Sequence, residues 1–330
     1  MGELDLGFYI LLMLILGAEF TNGWTDAPNS IATVISTRVF SPLMAVIIAA
    51  IFNFIGVLSG TAVAHTIGTE IVDPAVINLT TLTSSMLAII IWSVITARIG
   101  LPTSETHALV AGLGGAGVAT AGFNALIWTG FKKILLGLLF SSLIGFIGGI
   151  VVMSAIYRIF QFVAPGKMRR SFHYLQMLSA IFMAFSHGSN DGQKFMGIFT
   201  LALVMGNVLP SFAIPLWVIA LCASVMAIGT LSGGWRILKT MGFQITYLDT
   251  PQGFAAELVA ASTIETASAL GIPLSTTHTI NTAIMGVGAT RRFSAVRWGI
   301  TNRIIAAWIF TFPACGLLGY AVAIFLKRIS

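Results

Sequence analysis

The sequence predicts an all-α, polytopic membrane protein that contains two inverted-topology repeats of about five membrane segments each, with interrupted helices and half-helices. Three observations lead to this fold class. Of the 330 residues, 57% are hydrophobic and only 8% are charged, whereas about 25% are charged in an ordinary soluble domain. Apolar runs long enough to cross a bilayer recur from end to end. Two polar motifs also occur twice, in the same order.

Charge and cysteine content exclude several classes of protein. The formal net charge is +6, but the basic residues lie mainly in short loops, where they orient a membrane protein rather than bind nucleic acid. The two cysteines, Cys222 and Cys315, lie in apolar runs and indicate neither a disulfide framework nor a metal cluster. We therefore expect a multi-pass protein of the cell membrane, in contact with the lipid bilayer, with no nucleic-acid partner and no bound cofactor.

The apolar segments follow one another with short connections and with approximate boundaries. They cover 6–38, 43–64, 77–97, 102–120, 125–157, 174–206, 211–232, 253–270, 274–290 and 299–326. Segments 102–120 and 274–290 are short and begin with polar residues, so they are typical of half-helices that enter the membrane only partly.

Two of these segments are too long for one simple crossing. Segment 6–38 would extend about 50 Å as a straight helix, whereas the hydrocarbon core is about 30 Å thick. It contains the polar stretch TNGWTDAPNS near its middle, and segment 174–206 contains SHGSNDGQK. We therefore predict that the helix of segment 6–38 is interrupted around Gly23 to Pro28. We predict a similar interruption in segment 174–206, at its equivalent motif.

The recurring motifs indicate a duplication. GWTDAPN, which contains Asp26, aligns with GSNDGQK, which contains Asp191; GLPTSETH aligns with GIPLSTTH further along each half. Five crossings per half is an odd number, so the second copy is inverted, an architecture typical of secondary transporters. The alternative is chance similarity between apolar sequences. The predicted parts are an N-terminal repeat over 1–157, a cytoplasmic connecting loop over 158–173 and a C-terminal inverted repeat over 174–330.

The motifs PTSETH and PLSTTH predict two helix N-termini that face an anion. Proline suits the first turn of a helix, and the neighbouring hydroxyls cap it. The unpaired N–H groups and the helix dipole make this end positive. Two such ends that meet within the membrane suit a tetrahedral oxyanion, although two ordinary helix caps at an interface are the alternative. The hydroxyl-bearing residues of this predicted site are Ser104, Thr106, Ser275, Thr276 and Thr277.

Acidic residues within the apolar segments predict a cation site. A carboxylate at bilayer depth costs about 2.5–3.5 kcal/mol, so such residues are functional candidates. Carboxylate and amide oxygens suit a small hard cation. The alternative for Asp191 is an ion pair with Lys194, three residues further on; Asp26 has no base nearby in the sequence. The acids in apolar segments are Asp26, Asp191, Glu19, Glu105, Glu257 and Glu265, and the predicted cation ligands are Asn22, Asp26, Asn29, Asn190 and Asp191.

The paired motifs resemble those of the inorganic phosphate transporter (PiT) family of cation-coupled symporters. The resemblance rests on G-x-N-D-type and P-x-S-x-T-H motifs in both halves and extends over nearly the whole chain. It implies phosphate on the half-helices, sodium ions or protons as coupling ions at the Asp/Asn motifs, and a homodimer. Thr25 and Lys194 depart from the asparagines usual in the family, which implies that one cation position is altered or replaced by a fixed positive charge.

The leading functional hypothesis is therefore a secondary active transporter that carries inorganic phosphate with sodium or protons by alternating access. Glu105 joins the predicted phosphate ligands because its carboxylate can accept a hydrogen bond from a protonated phosphate, which sulfate does not offer. The same fold carrying sulfate or a metal–phosphate complex is the first alternative, and a passive anion channel is the second. An enzyme is not expected, because the sequence has no nucleophile elbow and no metal-ligand spacing.

Overall fold

The chain is almost entirely helical in the computed structural model, which describes residues 5–73 and 76–329. The first half contains α1 (Leu6–Ser36), α2 (Pro42–Leu58), α3 (Ala62–Thr69), α4 (Leu79–Ile99), α5 (Glu105–Ala121) and α6 (Trp128–Ile159). The second half contains α7 (Pro165–Met205), α8 (Leu216–Ser232), α9 (Trp235–Lys239), α10 (Thr250–Ala269), α11 (Thr276–Ala289) and α12 (Trp298–Ile329). The described ranges contain no strand beyond an isolated bridge, so the predicted all-α class is confirmed.

All ten predicted segments coincide with helices of this bundle. Within the described residues, five helices are long and apolar enough to cross a membrane, namely α1, α4, α5 with the turn that follows it, α6 and α12. The bent pairs α2–α3 and α8–α9, with angles of 71° and 59°, raise this number to seven. Helices α7 and α10 are too polar for the same criterion, because they carry many of the buried polar side chains. Helix α11, with 14 residues, is too short.

The two halves have their elements in the same order. Each has a long helix, a bent pair, a further helix, a short helix that begins at a P-x-S-x-T-H motif, and a long final helix. The connection between the halves is shorter than the expected loop over 158–173, because Pro165 starts α7 at its first turn. The exact division into repeats stays a prediction, and residues 1–4 and 330 lie outside the described residues.

The interruptions predicted in the first and seventh helices are wrong in their position. Helix α1 runs without a break through Pro28, and α7 runs without a break through Asp191. Pro28 removes one N–H donor from the helix, and the neighbouring polar side chains have partners on other helices, so the backbone does not need to unwind. The breaks occur instead between α2 and α3 and between α8 and α9.

Glycines in the polar motifs allow the central helices to approach their neighbours closely. A Cβ atom on Gly23 of α1 would lie 2.3 Å from the carbonyl oxygen of Met226 in α8. A Cβ atom on Gly188 of α7 would lie 2.2 Å from the carbonyl oxygen of Asn53 in α2. Any larger residue would therefore force these helices apart, as is usual where membrane helices pack on small residues. This packing holds the polar stretches of α1 and α7 at the centre of the bundle.

Candidate functional site

The N-termini of α5 and α11 meet inside the bundle. Ser104 and Ser275 are the two N-caps, and their Oγ atoms accept hydrogen bonds from the backbone N–H of His107 (3.2 Å) and of His278 (3.1 Å). The hydroxyl of Thr106 in α5 donates to the carbonyl oxygen of Leu274, just before α11, at 2.8 Å. Both helices therefore begin at the predicted hydroxyl motifs, and one motif contacts the other. The expectation that proline occupies the first turn is wrong, because Pro102 and Pro273 lie two residues before the serine caps.

The histidines that end the two motifs form a second contact between these helix starts. The rings of His107 and His278 lie edge to face with centroids 4.5 Å apart. His278 also stacks on Trp308 at 3.8 Å, and its Nδ1 lies 3.3 Å from the hydroxyl of Ser142. Both imidazoles thus pack within the bundle beside the α5 and α11 starts.

Helix α1 forms one wall of the site. The hydroxyl of Thr277 donates to Oδ1 of Asp26 at 3.2 Å. The amide of Asn29 donates to the hydroxyls of Thr276 (3.3 Å) and Thr277 (3.0 Å). Two predicted cation ligands are therefore hydrogen-bonded directly to two predicted anion ligands, and Asp26 is only 4% exposed.

Helix α7 contributes a second carboxylate to the site. The hydroxyl of Thr276 donates to Oδ2 of Asp191 at 3.0 Å, while the ammonium of Lys194 donates to Oδ1 of the same carboxylate at 2.5 Å. Nε2 of His187 lies 3.5 Å from Oδ2 of Asp191. Asp191 and Lys194 are both 0% exposed. The ion pair that the sequence left as an alternative for Asp191 is therefore present.

The two remaining predicted cation ligands differ in orientation. Asn22 donates from Nδ2 to the backbone carbonyl of Asp191 at 3.5 Å. Asn190 instead donates to the hydroxyl of Ser268 at 2.9 Å and to the carbonyl of Ile272 at 3.4 Å, so its amide is turned towards α10 and the segment after it. The Oδ1 atoms of both asparagines are buried and accept no hydrogen bond from the described residues. Each therefore has an oxygen available to a cation.

Two carboxylates and an imidazole converge closely enough to hold an ion. One ligand atom from each of Asp26, His187 and Asp191 lies within 4.8 Å of the other two. Two carboxylates with nearby amide oxygens form the hard donor set that suits sodium and other hard cations. Glu19, one turn before Asn22 on α1, is 0% exposed and adds a third acid to this region.

Glu105 lies at the first position of α5, as predicted. Its Oε1 accepts a hydrogen bond from the hydroxyl of Thr25 at 3.0 Å. Its Oε2 is buried and makes no hydrogen bond of normal length and angle with the described residues, although the hydroxyl of Ser93 lies close to this carboxylate. The carboxylate thus offers a free acceptor beside the positive end of a helix.

The other acids identified from the sequence lie outside this centre. Glu257 accepts hydrogen bonds from Thr33 (2.5 Å), Ser179 (2.5 Å) and Gln176 (3.2 Å). Glu265 accepts one from Ser189 at 2.7 Å. Both carboxylates have polar partners on neighbouring helices, so neither the buried Glu257 nor the partly buried Glu265 needs a ligand to explain its position.

The roles of three groups in the site were not predicted from the sequence. Thr25 holds Glu105, His187 lies beside Asp191, and the carbonyl of Leu274 joins the two helix starts. His187 carried a detectable signal, because it precedes Asp191 by four residues, as Asn22 precedes Asp26. The role of the Leu274 carbonyl had no signal in the side-chain sequence, since any residue supplies a carbonyl.

Comparison with known proteins gives one consistent result. Residues 22–319 match the Phosphate transporter family. The chain is 44% identical over 321 residues to a probable low-affinity inorganic phosphate transporter of Rhizobium meliloti, covering 96% of each chain. It is 39% identical over 320 residues to the Bacillus subtilis protein described in the same words, again covering 96% of each. Its fold is similar to a solved structure described as the sodium-dependent phosphate transporter, with a TM-score of 0.91, 24% identity and coverage of 99% of this chain and 100% of the other.

Proposed function

The chain belongs to the phosphate transporter family, and from this membership we propose that it carries inorganic phosphate across the cell membrane together with sodium ions by alternating access. The observation that carries the proposal is the direct bonding of hydroxyls on the α11 start to two buried aspartates, Thr277 to Asp26 and Thr276 to Asp191. Residues suited to an anion and residues suited to a cation are thereby parts of one network.

Phosphate binds, in this proposal, between the starts of α5 and α11. The first N–H groups of a helix have no intrahelical acceptor and the dipole is positive there, so two such ends attract an oxyanion. Hydroxyls from both motifs add donors. The ligands in this proposal are Ser104, Glu105, Thr106, Ser275, Thr276 and Thr277.

Sodium binds at the carboxylates and amides of α1 and α7. Unpaired buried oxygens on Asn22, Asn29 and Asn190 support this assignment, as does the proximity of Asp26 to Asp191. The cation ligands in this proposal are Asn22, Asp26, Asn29, Asn190 and Asp191. Protons are the alternative coupling ion.

The hydroxyl–carboxylate bonds supply a physical reason for coupling. The hydroxyl of Thr277 has one proton to donate, and Asp26 accepts it at 3.2 Å. A sodium ion that binds Asp26 competes for the same carboxylate oxygen and frees the hydroxyl to donate to phosphate. Each ligand then raises the affinity for the other by the same factor, as linkage requires.

Reconstituted protein tests the transport proposal. Liposomes that contain the protein should accumulate labelled phosphate above the external concentration when sodium is higher outside, and should not do so with an equal potassium gradient. Uptake that stops at equilibrium under every cation gradient would contradict coupled transport. Large single-channel currents would instead favour the passive channel.

Phosphate is favoured over sulfate by the free Oε2 of Glu105. Inorganic phosphate near neutral pH is a mixture of the singly and doubly protonated anions, so it always has a proton with which to donate a hydrogen bond to this oxygen. Sulfate has no proton to donate, and its approach to the carboxylate is purely repulsive. The cargoes are distinguished by how strongly each one inhibits the uptake of labelled phosphate. The competitors are sulfate and phosphate premixed with a divalent metal.

A homodimer in the lipid bilayer is the remaining part of the proposal, and it rests on the family resemblance. Large apolar side chains on α6 and α12, such as Leu139 and Phe310, are more than half exposed, which suits a lipid or protein neighbour. Light scattering of the protein in detergent should give twice the chain mass of 35.0 kDa; a protein mass equal to one chain would contradict the dimer.

A further inference from the structure

The two central aspartates have different surroundings although their motifs correspond. Three residues after Asp26 the chain has Asn29, and three residues after Asp191 it has Lys194. Asn29 turns to α11 and donates to the hydroxyls of Thr276 and Thr277. Lys194 instead turns to its own aspartate. One of the two carboxylates is therefore paired with a permanent cation and the other is not.

The ammonium of Lys194 is held by oxygens alone. Its Nζ lies 2.5 Å from Oδ1 of Asp191 and 3.2 Å from the carbonyl oxygen of Leu274. The whole side chain is 0% exposed. A carboxylate and the carbonyl of a non-helical segment are ligands that a transported sodium ion also uses in broken-helix sites. Lys194 thus places a positive charge where a sodium ion has suitable ligands.

Electrostatics explain why a cation is needed at this position. The ligand atoms of Asp26 and Asp191 lie within 4.8 Å of each other. Two full negative charges at this separation repel by about 3–4 kcal/mol at an effective dielectric constant of about 20. An anionic cargo beside them adds to the repulsion. The pair formed by Asp26 and Asp191 therefore requires a compensating positive charge before phosphate can bind.

We infer that Lys194 is a tethered cation that takes the place of one coupling sodium ion at Asp191, so that the protein carries phosphate with one sodium ion fewer than a site with two unpaired aspartates. This inference rests on the proposed sodium–phosphate symport. It assigns the exchangeable sodium to the Asp26 side, where no lysine or arginine follows in the motif. Under this inference, sodium binding changes the Thr277–Asp26 hydrogen bond. The Thr276–Asp191 hydrogen bond does not depend on sodium, because the fixed charge of Lys194 always lies beside Asp191.

The competing role for Lys194 is that of a direct phosphate ligand. Lysine commonly binds phosphate as a point charge. In this structure, however, Nζ donates to Asp191 and Leu274, whereas the hydroxyl motifs and helix starts supply the donors for an anion. The two roles predict different results when the charge of Lys194 is removed. If Lys194 is a phosphate ligand, its removal abolishes phosphate binding. If Lys194 is a tethered cation, its removal leaves phosphate binding possible but requires one more sodium ion.

The deciding experiment compares the wild type with Lys194→Asn, which gives both motifs the same residue at this position. Labelled sodium bound per chain is counted on purified protein without phosphate, and sodium and phosphate fluxes are measured in liposomes. We expect Lys194→Asn to bind one more sodium ion per chain, to transport one more per phosphate and to show steeper sodium activation. Lys133→Asn is the control, because it removes a partly exposed lysine that pairs with Glu70. It should leave the sodium count, the sodium-to-phosphate ratio and the sodium activation unchanged.

An unchanged sodium count in folded Lys194→Asn overturns the inference, and so does loss of phosphate binding at every sodium concentration. If this variant does not fold, Lys194→Gln decides, because glutamine removes the charge while it keeps a longer polar side chain than asparagine. Lys194→Gln should also bind one more sodium ion per chain than the wild type, and phosphate binding that is lost at every sodium concentration assigns Lys194 to the cargo instead. Absence of sodium-driven uptake by the wild type is a separate result that contradicts the proposed symport itself.

Discussion

The hydroxyl of Thr277, in the first turn of α11, donates a hydrogen bond to Oδ1 of Asp26, in the middle of α1, at 3.2 Å. Both side chains are almost completely buried. This bond joins a helix start suited to an anion with a carboxylate suited to a cation, so the occupancy of either position affects the other.

Thr277→Val should uncouple the two ligands. Valine has nearly the same shape but no hydroxyl, so both the bond to Asp26 and a donor to phosphate are lost. A buried hydrogen bond to a charged group is worth about 1.5–3 kcal/mol, so phosphate affinity should fall by at least about tenfold. Phosphate binding at several sodium concentrations measures the loss and the reduced dependence on sodium. Thr279→Val is the matched control, because its hydroxyl bonds only to the Ser275 carbonyl of its own helix; an equal loss there would show a general packing effect.

Asp26→Asn should remove the activation by sodium. The substitution keeps the size of the side chain and an acceptor for Thr277 but removes the charge. A charge interaction over about 4 Å at an effective dielectric constant of about 20 is worth about 4 kcal/mol, so sodium affinity should fall by about two orders of magnitude or more. Initial uptake rates against sodium concentration provide the measurement. Asp249→Asn, which changes an exposed partner of Arg291, should behave as wild type, and normal sodium activation of Asp26→Asn would refute the assignment.

Glu105→Gln should weaken the discrimination between phosphate and sulfate. Glutamine can keep an oxygen acceptor for Thr25 but replaces the free carboxylate oxygen with an N–H₂ donor. Phosphate then loses an acceptor for its proton while sulfate loses a repulsive charge, and a change of about 1–3 kcal/mol is expected for one such group. The ratio of the two inhibition constants against labelled phosphate should shift towards sulfate by about tenfold. A ratio equal to that of the wild type would remove Glu105 from the anion site.

Ser104→Ala combined with Ser275→Ala should weaken phosphate binding while the bundle still forms. Each serine caps its helix, and loss of such a cap costs about 1 kcal/mol. The temperature of thermal unfolding in detergent and the affinity for phosphate should therefore both fall. Ser41→Ala is the control for the cap alone, because Ser41 caps α2 by accepting from Met44 away from the site. If Ser41→Ala lowers phosphate affinity as much as the double variant does, the serines act only through stability.

The interrupted helices were only partly predictable from the sequence. Their existence was predicted from segment length and polar content, but the position was wrong, since α1 continues through Pro28 and the breaks lie after α2 and after α8. Length and composition indicate that a segment is difficult to accommodate as a plain span. They do not indicate whether the polar residues find partners by unwinding the backbone or by contacting other helices, because those partners are distant in the sequence.

The amino-acid sequence was sufficient to predict the helical membrane class, the correspondence of the two motif pairs and the start of α5 and α11 at the hydroxyl motifs. These features depend on local physics, namely apolar length and capping. Tertiary structure alone decided that Thr277 contacts Asp26, that Asn29 turns to α11 and that Lys194 turns to Asp191 and the Leu274 carbonyl. Asn29 and Thr277 are 248 positions apart, and which polar groups meet over such a separation depends on how close-packed helices fit together, since every buried donor and acceptor competes for the partners that packing brings within reach.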